Sequence, residues 1–244
     1  MHEHSNRVAL VTGANKGIGF EVARQLGRSK FTVLIGARNS ELGQAAVATL
    51  KSESVDAQYV ELDVVRLTTI EAAASRIARG FKRLDVLVNN AGINDPADGL
   101  PGTVDLSVVR RVMETNFFGA FAVTQAMLPL LRKAEAARIV NVSSGLGSLT
   151  WNADPSWEYA QVKLLGYNAS KAAMNMLTVQ LAYELRGTTI KVNASNPGYT
   201  ATDLNGHRGH QTVAQGAAET VRLALLPADG PTGGFFETSG PDPW

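Results

Sequence analysis

A chain of 244 residues with 45% hydrophobic and 18% charged side chains has the make-up of one large globular domain, not of a disordered, fibrous or repetitive protein. Lys and Arg number 23 against 22 Asp and Glu, so a net charge of +1 gives no electrostatic reason to expect nucleic acid or an anionic membrane as a partner. Cysteine is absent, which excludes disulfides, thiolate catalysis and Cys-held metal; any metal would need His, Asp or Glu alone.

The stretch Met1–Arg7 is polar and lacks the apolar core of a secretory signal, and no apolar run approaches about 18 residues, so a soluble, cytoplasmic protein is expected. Arg7–Thr12 is a short apolar run closed by glycine, as expected of a strand buried on both faces of a parallel sheet. Glycines 13, 17 and 19 lead into a helix over Phe20–Leu26 with Val22, Ala23 and Leu26 on its buried stripe. A strand at Phe31–Ile35, a helix over 40–52, a strand at Ala57–Leu62, a helix over Thr68–Gly80 and a strand at Leu84–Val88 follow. The alternation continues with a long helix over about 105–133, a strand at Arg138–Val142, a helix over about 167–186, a strand at Thr189–Asn193, a helix over roughly 212–226 and a closing strand at Gly234–Glu237. Alternating β and α elements with short links predict an α/β fold: one doubly wound domain over residues 1–244, its parallel sheet covered by helices on both faces. Two irregular stretches, 145–166 and 198–211, break the rhythm at strand carboxyl ends, where open α/β sheets bind ligands.

Thr12-Gly-Ala-Asn-Lys-Gly-Ile-Gly19 sits where the first strand meets the first helix, a place where backbone N–H groups and the helix dipole hold a pyrophosphate. Its spacing, G-x-x-x-G-x-G, departs from the common dinucleotide pattern, and a plain tight turn with positive φ at Gly13 accounts for the same glycines. Further along, Asn89-Asn-Ala-Gly92 ends the fourth strand, Asn116 lies in the long helical stretch, Ser143-Ser144 end the fifth strand and Tyr167-Asn-Ala-Ser-Lys171 opens the next helix. Tyr167 and Lys171 are four apart and share a helix face, where a cation stabilises a phenolate and lowers a pKa otherwise near about 10. A serine hydroxyl at a neighbouring strand end can polarise a carbonyl for hydride attack.

Together these motifs resemble the short-chain dehydrogenase/reductase family along nearly the whole chain, and Asn196–Asp203 with Leu223–Pro227 is similar to its NADPH-dependent carbonyl reductase branch. The resemblance implies a Rossmann fold with Tyr167 as acid in reduction, Lys171 also on the nicotinamide ribose, Ser144 orienting the carbonyl and Asn116 anchoring a water of the proton relay. It further implies that Gly13, Asn15, Lys16, Gly17, Ile18 and Gly19 hold the cofactor phosphates, and that Asn90, Ala91 and Gly92 lie on the adenosine side. Asp63 resembles the residue that meets the adenine amino group, with Val64 beside it, although an N-cap of the next helix is an equal reading. Pro197, Gly198, Thr200 and Thr202 resemble the loop at the nicotinamide carboxamide. Asn89 reads as a brace of the sheet through its backbone.

Two alternatives compete with these assignments. Tyr159-Ala-Gln-Val-Lys163 repeats the Tyr-x-x-x-Lys spacing nearer to Ser144, but Tyr167 is followed by small residues and an apolar stripe through Met174, Leu177, Leu181 and Leu185, which favours it. Ser143 competes with Ser144, and the second serine better matches the family position. His207 and His210, three apart in a polar loop, read as solvent-exposed, with no metal. Ala37-Arg38 after the second strand places a cation where NAD enzymes keep a carboxylate, and Lys16 approaches the same 2′-phosphate, so NADPH is the expected cofactor. Leu146, Leu149, Trp151, Trp157 and Tyr199 in the two loops predict a pocket for bulky apolar or aromatic carbonyls. The expected function is reduction of a small-molecule ketone or aldehyde by a homo-oligomer without nucleic-acid or membrane partners. The rivals are an alcohol dehydrogenase running oxidatively and a dinucleotide-binding regulator with little activity.

Overall fold

The computed structural model describes residues 7–244; the polar Met1–Asn6 stretch lies outside the described residues. Eight strands form one sheet in the order β3-β2-β1-β4-β5-β6-β7-β8. These are β1 (Arg7–Thr12), β2 (Phe31–Ala37), β3 (Ala57–Glu61), β4 (Val86–Asn89), β5 (Arg138–Val142), β6 (Lys191–Ser195), β7 (Phe235–Glu237) and β8 (Gly240–Pro241). Strand order reverses between β1 and β4, and that switch point opens a crevice at their carboxyl ends. The fold is the expected doubly wound Rossmann arrangement.

Alternation along β1 and β2 sorts the core into two layers. Val8, Leu10 and Leu34 face α3 (Leu67–Gly80), α5 (Gly119–Leu131) and α7 (Leu165–Glu184). Ala9, Val11, Val33 and Ile35 face α1 (Gly17–Arg28), α2 (Ser40–Ser52) and α8 (Val213–Ala224). Between β4, β5 and the helices lies a buried polar chain in place of apolar packing. Asn89 Nδ2 donates to Thr124 Oγ1 at 2.9 Å and Asn141 Oδ1 at 2.8 Å, and Asn141 Nδ2 donates to Thr178 Oγ1 at 2.9 Å. Asn89 therefore braces the sheet through its side chain, not only through the backbone contacts expected of it. Asn141→Ala deletes two of these bonds and strands buried polar atoms; it is expected to cost about 2–3 kcal/mol in urea unfolding, and an unchanged midpoint would contradict this account.

Four departures from the predicted elements have local causes. The helix expected over 105–133 is α4 (Leu106–Met113), a π-turn over Glu114–Phe118 and then α5. The extra residue coincides with Gly119 pressed on Val64, where a Cβ would lie 2.8 Å from Val64 Cγ2. β6 starts two residues later than predicted because Thr188 turns the chain, its Oγ1 accepting from Ile190 N at 3.2 Å. The sheet is not wholly parallel, since β8 pairs antiparallel with β7. Part of the stretch 145–166 is ordered as a 3-10 turn over Gly145–Gly147 and a short α6 (Leu149–Ala153), whose N-cap Ser148 accepts from Trp151 N at 3.1 Å.

Candidate active site

The glycine turn is held by the neighbouring strand. Gly13 has φ +64°, and a Cβ there would lie 3.0 Å from Ala91 Cα, while a Cβ on Gly19 would lie 2.3 Å from Asn90 Nδ2. Asn90 Nδ2 donates to Thr12 O at 2.8 Å, and Thr12 Oγ1 accepts from Asn90 N and Ala91 N at 3.0 and 2.9 Å. This locks the carboxyl ends of β1 and β4 together and leaves the Asn90 side chain on the turn's own carbonyls. Asn15 and Ile18 are half-buried on the turn. Lys16, the N-cap of α1, is extended and its side chain caps nothing, so it offers the first-turn N–H groups no acceptor and leaves them to an anion.

Around this cradle the predicted contacts divide. Arg38 is exposed at the end of β2 and makes no ion pair among the described residues. Lys16 Nζ instead meets Asp203 Oδ2 at 2.5 Å, tying the glycine turn to the stretch 198–211. Asp63 is not the N-cap of α3; that residue is Arg66, and Asp63 Oδ1 accepts from Val65 N at 3.3 Å, so the capping alternative is set aside. Val64 is buried beneath Gly119. In the loop after β6, Gly198 has φ +66°, Thr200 Oγ1 donates to Pro197 O at 2.9 Å, and Thr202 caps a 3-10 turn over Asp203–Asn205. Thr202 also reaches the glycine turn, with Cγ2 3.8 Å from the place a Gly17 Cβ would take.

Opposite the cradle, Ser144, Tyr167 and Lys171 converge. The Ser144 hydroxyl accepts from Leu146 N at 3.2 Å and lies near enough to the Tyr167 phenol to favour its ionised form. Ser143 points away into α7, donating to Asn175 Oδ1 at 2.6 Å. Lys171 Nζ lies 5.6 Å from the Tyr167 ring centroid and donates to Val142 O at 2.8 Å. Asn116, in the π-turn, is fully buried; its Nδ2 donates to Ile93 O and Ser170 Oγ at 3.0 Å, and its Oδ1 accepts from Ile93 N at 2.8 Å. A Cβ on Gly92 would stand 3.4 Å from Asn116 Oδ1 and 3.7 Å from Lys171 Nζ, so glycine keeps that space open. Tyr159 and Lys163 do not pair: Lys163 Nζ donates to Asn152 O at 3.0 Å, whereas the Tyr159 ring sits between Trp157 and Tyr199.

Two positioning features have no local sequence signal. Asp98 caps the start of α7 from a distant loop, its carboxylate accepting from Gly166 N at 2.9 Å and Tyr167 N at 2.8 Å. Gly147 lets the turn after Ser144 press on α7, since a Cβ there would lie 2.7 Å from the carbonyl carbon of Lys171.

Burial governs the titration of the pair. It pushes the Tyr167 phenol up to about 12, against the pull of the Ser144 hydrogen bond, and the Lys171 ammonium down to about 8. Burial is the first cause of both shifts, in place of the lowering of the tyrosine's pKa expected from Lys171. The sign for stability follows. Between pH 8 and 10.5 the unfolded lysine holds a proton that the folded one has lost, so Lys171 makes folding more favourable as pH rises. Stability of the wild type relative to Lys171→Met is expected to rise by up to roughly 3 kcal/mol over that window, read from denaturant midpoints; a constant difference would contradict it.

Beside Ser144 lies a cavity of about 280 Å³ lined by Leu146, Trp151, Trp157, Tyr159, Tyr199 and His210, with Glu158 and Glu237 among its further walls. Leu149, expected in the pocket, is 73% exposed and faces away because the short α6 turns it outward. His207 is hydrogen-bonded to Asp203 at 2.7 Å, and His210, though exposed, stands against the Tyr199 ring. No group of three metal-ligating side chains is present among the described residues.

A family model described as short chain dehydrogenase matches residues 7–212. A short-chain dehydrogenase, anuI, of Penicillium roqueforti is 37% identical over 223 residues, covering 89% of this chain and 88% of its own. Carbonyl reductase (NADPH) 1 of Mus musculus is 35% identical over 280 aligned positions, covering 98% and 99%. The structure of NADPH-bound carbonyl reductase from chicken fatty liver superposes with a TM-score of 0.85 at 29% identity, covering 98% of this chain and 99% of that one.

Proposed function

The chain belongs to the short-chain dehydrogenase family, an oxidoreductase that binds a nicotinamide dinucleotide, and from that premise we propose that it is an NADPH-dependent carbonyl reductase acting on a ketone or aldehyde of a small molecule. The observation that carries this reading is the convergence of Tyr167 and Lys171 on Ser144, which itself lines a cavity walled in part by Trp151, Trp157, Tyr159 and Tyr199. The glycine cradle fits a dinucleotide, because the first turn of α1 is left without a side-chain acceptor, while Gly13 and Gly19 let the turn pack tightly on Ala91 and Asn90. When bound, reduced nicotinamide supplies the hydride that reaches the carbonyl carbon.

This chain's residues handle the other half of the reaction. The Ser144 hydroxyl holds the carbonyl oxygen and polarises it, and Tyr167 gives its phenolic proton to that oxygen as the alcohol forms. A phenol pushed up to about 12 stays protonated at neutral pH, as an acid must, and the nearby Lys171 ammonium stabilises the phenolate left behind. Asn116, held between Ile93 and Ser170, fixes the π-turn against α7 and so the lysine's surroundings; the family resemblance gives it the further role of anchoring a water of the proton relay. Arg38, exposed and without an ion pair among the described residues, supports the choice of NADPH over NADH; Lys16 of the glycine turn is paired with Asp203 and is the lesser contributor.

The test is NADPH oxidation followed against aldehydes, aryl ketones, ketoesters, quinones and keto-steroids. Reduction of bulky apolar or aromatic carbonyls upholds the reading, and oxidation of alcohols with NAD as the sole measurable activity overturns it. We also propose a homo-oligomer. Met176, Val179 and Tyr183 recur on one exposed face of α7, and Phe118 and Phe121 are exposed at the start of α5, a quantity of apolar surface that suits a second copy. Light scattering is expected to return at least a dimer mass; a monomer at working concentration would count against it.

A further inference from the structure

The cavity beside Ser144 is walled by a continuous run of rings. Trp151 stacks on Trp157 with centroids 5.3 Å apart, Trp157 meets Tyr159 edge-on at 5.5 Å, Tyr159 tilts against Tyr199 at 5.9 Å, and His210 stands edge-on to Tyr199 at 5.9 Å. The run begins next to the reacting end: a Cβ on Gly145, the residue after Ser144, would touch Trp151 at 2.9 Å and Trp157 at 3.3 Å.

The charged side chains on the same wall have one sign. Glu158 and Glu237 line the cavity, and no Lys or Arg does. Neither glutamate makes an ion pair among the described residues. Behind Glu237 stand two more carboxylates, Glu219, which holds Arg222, and Asp242, which accepts from Asn196 Nδ2 at 2.9 Å. Burial and the neighbouring Glu219 push the Glu237 carboxyl above its ordinary range, and nearby His210 pulls it back.

An aromatic wall alone suits any flat apolar molecule. With Glu158 and Glu237 on the wall and no Lys or Arg to neutralise them it suits a positive group, because ring faces attract a cation and the carboxylates supply the charge that offsets its lost hydration. We propose that the substrate class of this site is amino ketones: molecules carrying a tertiary or quaternary ammonium group that sits among Trp151, Trp157, Tyr159 and Tyr199 near Glu237, with the carbonyl at Ser144 and Tyr167. The inference rests on the carbonyl-reductase reading. The reaction is that reading's own: one hydride from NADPH adds to the carbonyl carbon and one proton from Tyr167 to its oxygen, giving the amino alcohol and the oxidised cofactor while the ammonium group is untouched.

The test uses two ketones of the same shape, acetophenone bearing a para-trimethylammonium group and acetophenone bearing a para-tert-butyl group, each assayed with NADPH in the full chain. Moving the ammonium from water into a plain apolar cavity is unfavourable, so such a cavity would prefer the tert-butyl ketone. The expected result is at least a tenfold higher kcat/KM for the ammonium ketone, with the cation-to-neutral ratio falling about tenfold in Glu237→Gln and in Trp157→Leu. Reduction of both with the neutral ketone equal or better, or a ratio unmoved by the substitutions, overturns the inference and leaves the carbonyl reductase standing. Reduction of neither ketone counts against the reductase reading itself. Calorimetry with phenyltrimethylammonium on the NADPH-loaded protein then decides the cage separately: binding weakened in Glu237→Gln upholds a cation site, and no binding overturns it.

Discussion

Replacing Tyr167 by phenylalanine is expected to lower kcat by about a thousandfold or more while leaving NADPH affinity within a few-fold of the wild type. The ring fills the same buried volume, and the Asp98 cap binds the backbone N–H of residue 167, which the substitution leaves in place. Only the phenol, with its transferable proton and its interaction with Ser144, is lost. Tyr159→Phe is the informative contrast. That phenol stands in the aromatic wall with Lys163 turned away to Asn152, so its loss should act mainly through KM and reduce kcat far less. Steady-state rates for both variants, with cofactor binding followed by fluorescence, check the assignment. A dead Tyr159→Phe with an active Tyr167→Phe would reverse it.

The second large effect concerns the cofactor. Arg38 stands exposed just past β2, where a carboxylate would accept from ribose hydroxyls and repel a 2′-phosphate. A guanidinium gives that phosphate planar, charge-assisted hydrogen bonds worth roughly 1.5–3 kcal/mol each, which corresponds to a preference for NADPH of about ten- to a hundredfold or more. Arg38→Asp removes the attraction and installs a repulsion, so it should abolish the preference or invert it. Lys16 is the lesser partner, since its ammonium is held by Asp203 and must leave that pair to reach a phosphate. Comparing kcat/KM for NADPH and NADH in the wild type and in Arg38→Asp decides the matter; equal values in the wild type, or an unmoved preference in the variant, would sink the claim.

What was legible in the sequence has a common physical character: it depends on neighbours along the chain. Buried parallel strands are short apolar runs, amphipathic helices repeat every three to four residues, and a strand closed by glycines before a helix marks a phosphate cradle, so the order of elements and the switch point between β1 and β4 followed from the residues. Ser144, Tyr167 and Lys171 were legible as a set through the resemblance of their motifs to the short-chain dehydrogenase/reductase family, with Tyr167 and Lys171 on one helix face and Ser144 at a strand end. The choice between Tyr167 and Tyr159 rests on the company of small residues, and in the structure Lys171 faces the Tyr167 ring whereas Lys163 turns from Tyr159 to Asn152.

Tertiary structure decided the rest, because those outcomes depend on groups far apart in sequence and on burial. Asp98 lies 69 residues before the tyrosine N–H it holds, and nothing local distinguishes it from any other turn aspartate. The π-turn at Asn116 arises where Gly119 closes on Val64, a contact between separate helical and loop segments. The titration of Tyr167 and Lys171 followed burial and not their helical spacing, since loss of water disfavours the charged form of each. Glu237 reached the aromatic wall from the last parallel strand, whose place beside β6 is fixed by sheet pairing. Local pattern thus determined which elements form and in what order; the meeting of their ends, and the electrostatics inside the space they enclose, belong to the packed molecule.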